Sequence, residues 1–370
     1  MPYGSVNADV ITTSTAGGVL GAGNASIMKN RIINGEFKIS QYYGTSASAN
    51  TINGYFIDRW EVSQITSGKI IAQQNAGSVT PPVGFIKYLG ITSQSAYSII
   101  SSDRTMVSQW VEGFNISDLA WGTANAKTVT LSFWVYSSLT GTFGGAVING
   151  TPNRGYPFSY SIPVANTWTQ ISITIAGDTT GTWATDNSAG LGIRFGLGVG
   201  STYLGTAGAW AAGNYAGATG QTNVLGTNGA TWYVTGIQLE VGSSATGFEY
   251  VNYQTSLANC QRYYEIITAG ANKGIATVNC PSSTTVYGTV PFKVSKRANA
   301  TLSYVSGTNY YQAYIAGNSG FNFTSMAQDH VGTEQCSISA TVNSGTFTGG
   351  QCGYFYSTSA SGFVAFSAEL

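Results

Sequence analysis

The chain has 370 residues, long enough for two domains with cores of their own, and only 8% of them are charged, against about a quarter in an ordinary soluble domain. Lys and Arg number 15 and Asp and Glu number 15, so no basic surplus exists to neutralise phosphates, and the simplest case for nucleic-acid binding is removed. No apolar run of about eighteen residues is present, so membrane insertion is not expected.

The polar surface must then be built from Ser, Thr, Asn, Gly and Tyr. With Gly 48 and Tyr 23, the composition points to many short strands joined by turns. Met1-Pro-Tyr-Gly-Ser has neither a basic region nor an apolar one, which predicts a product made without a secretory leader.

Residues 1–28 are rich in Gly, Ser, Thr, Ala and Asn, with isolated hydrophobes such as Val10 and Leu20. Such a stretch cannot bury a core alone, and it reads as an extended arm held by another chain. From Lys29 the sequence predicts a strand through Ile33, Phe37 and Ile39, interrupted by an Asn34-Gly35 turn signal. At Gly54-Tyr-Phe-Ile-Asp-Arg-Trp60, one strand face carries Phe56, Asp58 and Trp60, and Asp58 and Arg59 read as a charge pair tying a strand end to a loop.

Clear alternation follows at Val129, Leu131, Phe133 and Val135 and at Ile171, Ile173 and Ile175. In Leu191, Ile193, Phe195, Leu197 and Val199 the opposite face is nearly all glycine. That bare face would admit a covering loop, a flat ligand or a neighbouring subunit at Gly192, Gly196 and Gly198. The polar stretch 201–229, with Tyr203, Trp210 and Tyr215, is long enough to be functional or interfacial.

In Trp232 to Val241 the apolar phase flips across Thr235-Gly236, which predicts a β-bulge there. An aromatic cluster at Phe248, Tyr250 and Tyr253 comes next, and a new unit starts near Leu257. Its predicted strands are 286–292, 302–305, 310–315, 321–323, 336–342, 352–356 and 363–368. The fold class is therefore all-β: an extended N-terminal arm over 1–28, a jelly-roll-like antiparallel β-sandwich over 29–252, and a second, smaller β-sandwich over 253–370.

Three stretches together resemble tail-fibre and related virion proteins of tailed bacteriophages. Asn30-Arg-Ile-Ile-Asn-Gly-Glu-Phe37 with Asp58-Arg-Trp60 looks like the start of their β-sandwich. Trp168-Thr-Gln-Ile-Ser-Ile-Thr-Ile175, Gly236-Ile-Gln-Leu-Glu-Val-Gly242 and Ala245-Thr-Gly-Phe-Glu249 look like its end. Cys260-Gln-Arg-Tyr-Tyr-Glu265 with Phe366-Ser-Ala-Glu-Leu370 resembles the opening and close of a distal domain. The resemblance implies a sandwich similar to a carbohydrate-binding module, a homotrimer, and a place on the virion, reached after assembly in the host cytoplasm. It supplies no binding residues.

Cys260, Cys280, Cys336 and Cys352 lack C-x-x-C spacing and a nearby His pair, so no metal centre or cofactor is expected. Buried thiols are the first reading and a Cys336–Cys352 bridge between neighbouring strands the second. The single histidine, His330, lies beside Asp329 without an identifiable nucleophile. Asp178 and Asp186 lie in turn sequences, where bonding to the backbone is the ordinary role; calcium ligation or glycoside cleavage are the sharper ones.

Aromatic rings among uncharged polar groups suit sugars better. The candidates for glycan contact are Trp183, Trp210, Tyr215, Tyr310, Tyr311 and Tyr354. The expected function is a non-enzymatic structural protein of the virion, a short tail fibre or adhesin, joined to other virion proteins by its arm and touching host-surface glycan. A capsid decoration, cement or head-fibre protein is the alternative, and a polysaccharide depolymerase the third reading.

Overall fold

The computed structural model describes residues 28–49, 51–315 and 318–370; all but the last residue of the expected 1–28 arm lies outside them. The chain forms two compact units. The first contains the described residues up to Lys38, with Thr45–Phe56 and Trp60–Tyr250; the second contains Ile39–Gly44, Ile57–Arg59 and Val251–Leu370. The second unit is thus discontinuous in sequence and takes two short segments from within the span expected for the first sandwich.

The first unit is a jelly-roll-like sandwich. One sheet has seven strands in the order Gly54–Ile57, Trp60–Gln64, Arg104–Glu112, Ala189–Val199, Gly141–Asn149, Arg154–Ile162 and Ala211–Ala212. The other has five: Ile70–Gln74, Leu89–Ser93, Thr231–Val241, Val129–Ser137 and Thr169–Ile175. Inward rings from the two sheets interlock. Phe133 meets Phe195 and Tyr160, each at 5.1 Å between centroids, and Trp232 donates its indole N–H to the Tyr160 hydroxyl at 3.0 Å. A buried Tyr–Trp pair bonded to each other removes the penalty of hiding two polar groups.

The bulge expected at Gly236 is present. Thr235 opposes Trp134 while Gln238 opposes Ser132, so three steps along one strand match two along the other, and Gly236 takes φ 63°. Every residue from Trp232 to Glu240 is buried. The Leu89–Ser93 strand pairs only as far as Val234. Beyond it the backbone is satisfied by residues 30–35: Ile237 N–H donates to Gly35 O at 3.0 Å and Arg31 N–H to Leu239 O at 2.9 Å. The Asn30 side chain accepts from Leu239 N–H at 3.0 Å and donates to Ile237 O at 3.1 Å.

No strand forms at Ile33 to Ile39, because Asn34 and Phe37 both adopt left-handed φ of 57° and coil the segment onto the bulge. Gly35 is required there, since a Cβ would stand 2.1 Å from Ile237 O.

The second unit is the smaller sandwich. A three-stranded sheet, Tyr264–Ala269, Phe363–Ser367 and Thr301–Tyr304, accompanies a seven-stranded one. The latter runs Asn318–Phe323, Tyr311–Ile315, Cys352–Ser357, Lys273–Asn279, Thr285–Pro291, Gln335–Thr341 and Ala327–Val331. Val278, Val286, Val290, Tyr311, Phe355 and Phe366 belong to its core.

A helix over Tyr253–Gln261, unforeseen in the sequence, opens the continuous part of this unit; the Asn252 side chain caps it by accepting from Thr255 N–H at 2.9 Å. Asp58 and Arg59 occupy the turn between two strands instead of a strand face. Arg59 pairs with Glu369 and lies over Tyr263, its guanidinium carbon 3.5 Å from the ring centroid, while Asp58 accepts from Gln41.

All four cysteines are free. A Cys336–Cys352 bridge is ruled out by topology: two strands lie between Gln335–Thr341 and Cys352–Ser357, and at about 4.8 Å per strand step the gap far exceeds the Cα separation a disulfide tolerates.

Candidate functional site

The outer face of the second unit's seven-stranded sheet carries the most coherent set of polar and aromatic groups. Period-2 alternation builds it. Within Thr285–Pro291, Val286 and Val290 go to the core, which leaves Tyr287 and Thr289 outside.

Strand register then lines these outward residues into rows. Tyr314 opposes Tyr354, Tyr354 opposes Thr277, Thr277 opposes Thr289, and Thr289 opposes Ser337. In the next row Cys352 opposes Asn279, Asn279 opposes Tyr287, and Tyr287 opposes Ser339. None of these nine side chains is charged.

Tyr314 and Tyr354 stack with centroids 5.4 Å apart and planes 22° from parallel, and Tyr356 follows Tyr354 at 5.4 Å. Tyr356 hydrogen-bonds Gln312, whose amide donates to Asn322 at 3.0 Å, so the third ring is held by a fixed pair. Tyr354 is 51% exposed, and Tyr314 and Tyr287 are each 38% exposed. Beside them an open depression of about 400 Å³ is lined by Thr277, Asn279, Tyr287, Thr289, Ser337 and Cys352. Flat rings beside neutral donors and acceptors can hold a hydroxylated ring by stacking and by hydrogen bonds contributing about 1 kcal/mol each.

Of the residues expected to touch glycan, Tyr354 lies on this face. Tyr311 does not: it is fully buried, and its hydroxyl donates to Val305 O at 2.7 Å and Phe363 O at 2.9 Å. Adjacent strand residues point to opposite faces, so Tyr310 and Tyr311 could not share a surface. Tyr310 is half-buried against Gly307, where a Cβ would meet its ring at 2.5 Å. The sequence reading passed over Tyr287, Tyr314 and Asn279, although their alternation with Val286, Ile315 and Val278 was there to be used.

In the first unit Trp183 is corrected to a packing role. It is 8% exposed and forms a triangle with Trp121 and Trp210, at 4.7 and 5.4 Å. Trp210 is half-buried and donates to Ala176 O at 2.7 Å. Tyr215 lies across Gly155 and Gly205, with its hydroxyl bonded to Ala212 O at 2.9 Å; it too is engaged within the fold.

The subunit contact expected at Gly192, Gly196 and Gly198 is also corrected, because all three are covered by the chain itself. A Cβ at Gly192 would meet Trp110 at 2.7 Å, one at Gly196 Ala216 O at 2.6 Å, and one at Gly198 Ile99 at 2.9 Å.

Asp178 binds Arg154 in a bidentate pair and also accepts from Thr180. Burial opposes its charge, but these bonds outweigh it and leave its carboxyl below the usual range. Asp186 accepts from Ser188 N–H at 2.9 Å and from the Ser188 hydroxyl, as a turn aspartate does. His330 is 88% exposed and contacts Asp329 at 3.2 Å. Among the described residues no group of three His, Cys, Asp or Glu is placed to hold a metal ion.

No family model and no curated protein matches the sequence. Among solved structures, the enzymatically active domain of bacteriophage CBA120 tailspike protein 4 is similar over 58% of this chain, at 12% identity and a TM-score of 0.32, and the match covers only 21% of that chain. The carbohydrate-binding module TmCBM61, in complex with β-1,4-galactotriose, matches 58% of this chain and 99% of its own, at 11% identity and a TM-score of 0.30. The family 11 carbohydrate-binding module from Clostridium thermocellum matches 51% of this chain and 91% of its own, at 12% identity and a TM-score of 0.26. At scores this low the likeness carries no inference about ligand.

Proposed function

We propose that the chain is a non-enzymatic structural protein of a tailed-bacteriophage virion, a short tail fibre or adhesin whose second unit contacts host-surface glycan through its tyrosine-bearing sheet face. The observation that carries this reading is the pair of uncharged rows across that sheet, ending in the exposed Tyr314–Tyr354 stack. A face of hydroxyls, one carboxamide, one thiol and flat rings suits a neutral, hydroxylated polymer better than a peptide or a phosphate backbone. The bacteriophage side of the reading is supported by the motifs at 30–37, 236–242 and 260–265. The Gly-, Ser-, Thr-, Ala- and Asn-rich composition of residues 1–28 supports attachment to the virion through that arm, and the resemblance supports a homotrimer, which sedimentation of the purified chain at micromolar concentration would reveal.

The test is competition for adsorption by the full-length chain. The wild-type protein should block virions from binding host cells, and the Tyr314→Ala/Tyr354→Ala variant should lose that ability while melting like the parent, since exposed substitutions shift stability by about 0.5 kcal/mol or less. Equal competition by the variant, or none by the wild type, sinks the proposal. Host polysaccharide incubated with the protein should keep its length. Antibody labelling of intact particles should mark the tail; labelling of the head would favour a decoration protein instead.

A further inference from the structure

The bulge at Gly236 leaves a hollow on the outer face of the first unit's five-stranded sheet. Along Val129–Ser137, Phe133 and Val135 go to the core, which puts Ser132 and Trp134 on the other face. Register sets Trp134 between Thr235 and Gln170, and Ser132 between Gln238 and Ser172. The bulge falls between these two rows, where Gly236 contributes no side chain. The result is a pocket of about 150 Å³, lined by Ser132, Trp134, Gln170 and Gly236 and by the rings of Phe85, Phe248 and Tyr250. It is more enclosed than the depression on the second unit's sheet.

The ring-bearing wall is built before any ligand arrives. Phe85, Phe248 and Tyr250 touch one another, with centroids 5.1 to 5.9 Å apart. Their loop is tied down from below: Glu240 accepts from Thr246 N–H at 2.8 Å and from its hydroxyl at 2.6 Å, and Gln238 accepts from Glu249 N–H at 2.8 Å while donating to Glu240 at 2.9 Å. A wall fixed in this way loses little entropy on binding. The opposite side is different. The side chains of Ser132, Trp134 and Gln170 make no hydrogen bond among the described residues, and Trp134 stacks on no other ring there. Gln170 is exposed, and neither the Ser132 hydroxyl nor the Trp134 indole N–H is sealed from solvent. A hydroxyl, an indole N–H and a carboxamide thus line one small pocket with their bonding capacity unused.

Those groups select the ligand. No lining residue is charged, so an ion finds no counter-charge. An apolar ring such as proline would take water from three polar groups and return no bond, whereas a hydroxylated ring covers the indole and bonds all three. The volume of about 150 Å³ equals about five waters at about 30 Å³ each, which is room for one sugar ring and no second. We propose that this pocket binds the end residue of a neutral glycan, its ring laid on Trp134 and its hydroxyls bonded by Ser132, Gln170 and the Trp134 N–H. The site is independent of the tyrosine face, which is open and crosses five strands.

Titration of the full-length Tyr314→Ala/Tyr354→Ala protein isolates the pocket, because the second unit's face is disabled there. The probes are the methyl glycosides of glucose, galactose, mannose and N-acetylglucosamine, followed by tryptophan fluorescence and calorimetry. At least one should bind saturably. Adding Gln170→Ala, at an exposed position, should weaken that binding about fivefold, the loss of about one hydrogen bond. Adding Trp134→Phe, which keeps an apolar ring, should remove the fluorescence change and weaken the binding measured by calorimetry. Melting curves establish that each variant is folded. The proposal is overturned if none of the four glycosides binds, if the folded Gln170→Ala and Trp134→Phe variants bind like their parent, or if an oligoproline peptide binds more tightly than every glycoside, which would mark a peptide groove.

Discussion

Lys296 and Glu265 form a pair with neither side chain exposed, at 2.5 Å, and Lys296 donates further to Gln261 O at 2.6 Å. Burial pulls the Lys296 pKa down, opposed by its bond to Glu265. Lys296→Met leaves the Glu265 carboxylate buried without that partner, and it should destabilise the second unit by about 3–5 kcal/mol. The double change Lys296→Met/Glu265→Leu should recover much of the loss; chemical denaturation of both variants measures it. Thiol chemistry gives an independent check: Cys352 is exposed and Cys260, Cys280 and Cys336 are buried. A thiol reagent should therefore label one cysteine in the native protein, at Cys352 by peptide mapping, and all of them after denaturation. At this scale the sequence was partly legible. The turn roles of Asp178 and Asp186 and the burial of most cysteines follow from local context, whereas the partner of Lys296 does not.

Single strands were read best where side chains alternate. The phase flip at Thr235-Gly236 located the bulge because one extra residue changes the face of every later side chain. It did not reveal that residues 30–35 complete the hydrogen bonding of that strand, because Asn30 acts there through its side chain. Gly236 combines φ 63° with a Phe85 ring atom 2.6 Å from where a Cβ would sit. Gly236→Ala should destabilise the first unit by about 2 kcal/mol, from backbone strain and displaced packing together, measured as a lower denaturant midpoint with an unchanged slope. The glycine face of Ala189–Val199 was legible as a close approach, but what approaches is supplied by the fold: Trp110, the 211–221 loop and Leu225. The tyrosine rows became visible only once register joined five strands drawn from residues 273 to 357.

For the whole molecule, the two-sandwich architecture was legible from composition and alternation, and the discontinuity of the second unit was not. Its inserted segment 57–59 contributes Asp58 and Arg59 to a buried charge centre with Glu369. Burial raises the Asp58 carboxyl to about 6 and that of Glu369 to about 7, with Arg59 lowering both; two acids facing one guanidinium are not both ionised at low cost. Since the folded state holds these protons more tightly than the unfolded one, their contribution to stability is complete below the ordinary carboxylate range, about 4, and is lost as pH rises through 6 to 7. Thermal melts from pH 4.5 to 8 should show the second unit weakening in that window, and Glu369→Gln should flatten the upper part of the slope.

The Arg59–Glu369 pair joins positions 310 residues apart, and this separation bears on time as well as stability. Closing so long a loop is entropically slow, and contacts of high sequence separation delay folding. The second sandwich therefore has a late step that no local hairpin can shorten. Until residues 57–59 and 369 meet, it carries unpaired charge inside a half-built core, and that interval is when the chain is most open to aggregation.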